Sequence, residues 1–86
     1  MFTQRKDYEE RFREIEYDFE IVAEHSVNVI NYVRIVVNLL EKYDSFEERL
    51  MDGIRRGLPF KSRLQEMLAG LKAEAEHHRE GLTARV

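Results

Sequence analysis

In this 86-residue chain, Tyr8, Phe12, Ile15, Phe19, Val22, Ser26, Val29, Val33, Val36, Leu40 and Tyr43 follow one another at alternating steps of four and three. A helix gathers residues at that spacing onto one stripe, whereas a strand scatters them over both faces. Every position but Ser26 is apolar, so the pattern is a heptad seam. Glu24, Asn28, Asn31, Arg34, Asn38 and Glu41 keep the same period on the opposite side. The β-branched stretch SVNVINYVRIVVNLL, residues 26–40, is therefore read as helix. Propensity differences amount to only a few tenths of a kcal/mol per residue, while burying a large seam side chain is worth roughly 1.5–3 kcal/mol. The seam predicts one helix over about residues 3–43, roughly 60 Å long.

The flanks of that seam change along its length. Before residue 22 they are Glu9, Arg11, Glu16 and Asp18, which leave a narrow apolar stripe. Beyond it they become Ala23, Ile30, Tyr32, Val37 and Leu39, so the apolar surface covers most of the circumference and calls for more than one neighbour.

After Tyr43, Asp44 with Glu47, or Ser45 with Glu48, has the spacing of a capping box and marks a second helix over about 45–56, with Phe46, Leu50, Met51 and Ile54 on its apolar face. Gly57-Leu58-Pro59 is a stop signal. A third helix follows over about 59–80, entered through Pro59 or capped by Ser62, with Phe60, Leu64, Met67 or Leu68, Leu71, Ala75, His78 and Leu82 in register. Gly70 weakens its middle or admits another backbone, and Gly81 ends it before a frayed tail, 81–86.

The expected architecture is all-α and a single domain: a long N-terminal helix packed antiparallel against a broken second arm of two shorter helices. Such a helical hairpin or three-helix protomer buries only one side of the wide face. The remainder predicts self-association as a dimeric four-helix bundle, with Val22, Val29, Ile30, Val33, Val36, Val37 and Leu40 as the oligomer core. A chain this short gains only marginal stability from a single core, and with no cysteine it has no disulfide to reinforce it.

Composition narrows the functional classes. Charged residues make up 36% of the chain and the formal net charge is -3, a balance without general attraction for nucleic acid or anionic lipid. MFTQRKDYEERFREIE mixes both charges from the start, unlike a secretory signal, and no apolar run approaches the roughly 20 residues of a membrane span. The expectation is a cytoplasmic protein.

Candidate chemistry is sparse. Glu74 and His77 have the Glu-x-x-His spacing with which a ferritin-like bundle helix points a carboxylate and an imidazole at one metal centre, and Glu20 and Glu24 are the nearest further acids. Such a site would lie across the dimer; with both residues one step off the seam, no metal or other cofactor is assigned. His25 is read as a core-edge histidine beside Ser26. Arg55, Arg56, Lys61 and Arg63 cluster around the break before the third helix. Read as cap charges they complement helix dipoles; read functionally they dock an acidic partner or contact the phosphates of nucleic acid. Tyr8, Phe12, Ile15 and Phe19 are a packing stripe for the third helix or a groove for a partner helix. Ser45 and Ser62 are explained as caps, Ser26 sits in the seam, and the four glycines form no phosphate loop, so no catalytic residue is assigned. The reading is a non-enzymatic, homo-oligomeric module that binds another protein, with a small nucleic-acid-binding regulator and a metal-binding bundle as alternatives.

Overall fold

A computed structural model describes residues 4–24 and 29–85, with side chains over 4–22 and 31–83. The described residues form three helices packed against one another: α1 (Arg5–Glu24), α2 (Val29–Arg55) and α3 (Lys61–Arg85). At its start, the backbone N–H of Gln4 donates to the Asp7 carboxylate while the Asp7 N–H donates back to the Gln4 carbonyl at 3.0 Å, satisfying two groups that a helix start leaves open.

The seam is helical on both sides of residues 25–28, but it is not one rod. Lys42 reaches Glu14 and Asp18, and the Arg56 guanidinium donates to the Tyr8 hydroxyl at 3.4 Å, so α2 runs antiparallel to α1 and the chain reverses between Glu24 and Val29. A helix over 3–43 would exceed the 42 Å long axis of the molecule. Ser26, the seam's polar position, falls between the two helices, outside the described residues.

The expected boundary at 44–45 is absent. Phe46 and Leu50 continue the steps of three and four from Tyr43, all three are buried, and α2 passes through without interruption. The residues read as caps serve other contacts: Asp44 pairs with Arg79 of α3 at 2.5 Å, and Glu47 accepts the Tyr43 hydroxyl at 2.6 Å. The molecule is therefore an up-down-up bundle rather than a long helix against a broken arm, with α1 and α3 parallel as the links Glu9–Arg63 and Phe19–His78 show.

The true stop comes where Gly57 predicts it. At φ 71° this glycine adopts the left-handed conformation that side chains disfavour. Its N–H donates to Ile54 at 3.0 Å and the Leu58 N–H to Gly53 at 3.4 Å, the paired bonds of a Schellman motif. Leu58 then folds back over Gly53, where a Cβ would lie 3.3 Å from Leu58 Cδ1 and 2.8 Å from Leu64 Cδ1. Gly53, unremarked in the sequence, is thus the close approach of α2 to α3. Gly70 is not: space around it is open. The Leu64 N–H bonds to the Phe60 carbonyl, so α3 is capped at Phe60 and Ser62 is an exposed first-turn residue. Nor does Gly81 end α3. The helix runs to Arg85 because Leu82 packs on the core and the Thr83 hydroxyl bonds the Arg79 carbonyl within the helix.

Tyr8, Ile15 and Phe19 of α1, Val36, Tyr43, Phe46 and Leu50 of α2, and Leu64, Met67 and Leu71 of α3 form the centre of the core. The aromatic stripe of α1 is therefore intramolecular packing. His78 joins this core at 4% exposure, its ring stacked on Phe19 at 5.2 Å.

Candidate functional site

Lys42 defines the edge between α1 and α2. Its ammonium bridges Glu14 and Asp18, the latter at 3.0 Å. Partial burial opposes the lysine charge, but the two carboxylates outweigh it and raise the lysine above its ordinary value, while its hydrogen bond lowers Glu14. Above this clamp lies a groove of about 280 Å³ lined by Ile21, Val22, Ile35 and Leu39, with Asp18, Asn38 and Lys42 at the rim. Ile35 is 52% exposed and Ile21 37%, which makes this an apolar surface spanning both helices.

The expected oligomer core divides across the molecule. Val22, Val36 and Leu40 are buried inside the bundle and Val33 is half-buried. Val37 is exposed, but it lies two residues, about 200° of helix, from Ile35 and so on the opposite flank of α2. The side chains of Val29 and Ile30, like Glu24 and His25, lie outside the described residues. Counting the seam missed Ile35 and Ile21 because both lie off it; their signal was apolar character at positions that the heptad leaves to solvent.

The basic turn is drawn into the fold. Arg63 sends Nε and Nη2 to the two oxygens of Glu9, both at 2.9 Å, a forked pair joining α3 to α1, with its guanidinium 5.1 Å above the Phe12 ring. Glu9 is held down to about 2, chiefly by that bond, with burial opposing and Arg5 assisting. Arg55 and Arg56 pair with Asp52, and Lys61 is exposed. The four basic residues thus share the region of the turn without forming one free cationic face.

One heptad along, the same edge of α1 and α3 looks different. Phe12, Phe19 and Leu71 line a groove of about 380 Å³, together with Gly70 and the carboxylates of Glu16, Glu20 and Glu74. Among the described residues no cation pairs with these three acids. Glu74 faces Glu20 across this groove within one protomer, whereas the metal reading placed its site across a dimer; His77 is exposed, and among the described residues no group of three or more His, Asp or Glu is placed to hold a metal ion.

Among the described residues His78 is the one buried histidine. Burial pushes it below its ordinary 6.5, His77 adds to that, and Glu74 opposes it. Its Nδ1 lies 3.4 Å from the Tyr32 hydroxyl, while Nε2 has no partner among the described residues.

These features define a three-helix bundle with an apolar groove on one edge and an acid-rimmed groove on another. No family model, curated protein or solved structure matches the chain.

Proposed function

We propose that the chain is a non-enzymatic helical interaction module that works as a homo-oligomer and binds another protein. The observation that carries this reading is the apolar surface between α1 and α2, where Ile21 and Ile35 flank a groove floored by Val22 and Leu39. A small soluble domain gains by covering such a surface, and a second copy brings the same groove with both signs of charge, Asp18 and Lys42, at its rim. Solution molar mass by light scattering, over a concentration series, tests this. The expected result is a dimer or higher oligomer that Ile35→Glu reduces to a folded monomer; a wild-type monomer throughout the series overturns the self-associating part of the reading.

A further inference from the structure

At the base of the α1–α3 edge, Glu9 and Phe12, three residues apart on α1, hold the guanidinium of Arg63 from α3: the carboxylate grips it in a fork and the ring lies beneath it. Seven residues further along α1 the same acid and aromatic recur as Glu16 and Phe19. Because α1 and α3 run parallel, seven residues further along α3 is the equivalent place, and it holds Gly70. The second copy of the pattern therefore has its carboxylate and apolar floor but no cation. Nothing lies within 4 Å of where a Cβ of Gly70 would stand, and Glu20 and Glu74 add two further carboxylates to the rim. Elsewhere on α1, Glu9, Glu10, Glu14 and Asp18 all have basic partners within the chain.

We propose that this groove receives an arginine side chain from a basic amphipathic segment of a partner protein. The guanidinium takes the place that Arg63 occupies in the first copy, forking to Glu16 with Glu20 and Glu74 around it, and apolar residues beside it cover the half-buried Phe12, while Phe19 and Leu71 are already buried beneath the groove. Arginine suits the slot better than lysine because a planar fork matches a carboxylate and packs flat on an apolar floor. This rests on the reading of the chain as a protein-binding module and is independent of its self-association.

The probe is a fluorescent helical peptide of about 18 residues with leucine on one face and arginine on the other, alongside a counterpart carrying glutamate for arginine. Anisotropy titration is expected to show binding of the arginine peptide only. Affinity should fall about tenfold or more in Glu16→Gln/Glu20→Gln/Glu74→Gln, and stay within about twofold in Glu41→Gln/Glu48→Gln/Glu76→Gln, which removes the same charge elsewhere. Gly70→Arg, at a position open enough to accept it without unfolding, should fill the slot from within and abolish binding while thermal stability is kept or raised. Equal losses in the two triple variants, undiminished binding to Gly70→Arg, or no preference for the arginine peptide overturns the proposal. So does a wild type that ignores the peptide but self-associates until Gly70→Arg is introduced, since the occupant is then a second copy. Light scattering on Ile35→Glu reports on the other edge, so the two readings fail separately.

Discussion

Gly53 and Gly70 are both helical and have opposite roles. A methyl group at Gly53 would lie 2.8 Å from Leu64 Cδ1 and 2.9 Å from the Tyr8 hydroxyl, and although both are ends of flexible side chains, both are fully buried and have little room to turn. Overpacking of that kind costs about 1–3 kcal/mol, against a gain of about 1 kcal/mol in helix propensity. Gly53→Ala is expected to lower unfolding free energy by up to about 2 kcal/mol. Gly70→Ala, which meets nothing, should raise it by up to about 1 kcal/mol. Urea unfolding of the two variants beside the wild type checks both, and a destabilised Gly70→Ala would contradict the open space seen there.

At the scale of the element, the decisive stretch is Tyr43 to Glu47 in the middle of α2. Proline is tolerated in the first turn of a helix but inside one it removes a hydrogen bond and clashes with the preceding turn. Ser45→Pro is therefore expected to cost about 3 kcal/mol or more, read as a large fall in thermal midpoint with loss of helical circular dichroism. A near-neutral result would mean that a helix begins there after all. The all-helical character, the stop at Gly57 and the burial of the α1 stripe were legible because each follows from spacing or from one residue's backbone preference. The boundary was misread because Asp44, Ser45, Glu47 and Glu48 satisfy a local capping pattern, while Phe46 and Leu50 continue the seam, and burial of that seam outweighs a cap. The reversal between α1 and α2 was harder to see, since its mark in the sequence is one polar residue, Ser26, in an otherwise apolar row. The second groove was invisible to a search for motifs: it depends on Arg63 and Gly70 being compared across two helices whose parallel register only the fold reveals.

At the scale of the whole molecule, acid acts in two stages. His78 is buried among Phe19, Tyr32 and His77, and its folded form resists protonation, so the unfolded chain takes up that proton first. Its contribution is fully present above about pH 6.5 and declines as pH falls through that value toward the lower folded one. Glu9, lowered from 4.5 to about 2, contributes above pH 4.5 and loses that contribution as pH falls toward 2. Thermal midpoints followed from neutral pH to about pH 5 should fall for the wild type and stay flatter for His78→Leu. Equal slopes would mean that the ring is not held neutral by the fold.

The up-down-up course has a further consequence. With an odd number of passes, α1 begins and α3 ends at opposite poles of a body 42 Å long. Anything joined ahead of Arg5 and anything joined beyond Arg85 is kept apart by about that length, and tension applied between the two acts along the helix axes, loading the bundle in shear. In that arrangement the bundle is a strut of defined span, with both grooves lying on its sides and clear of its ends.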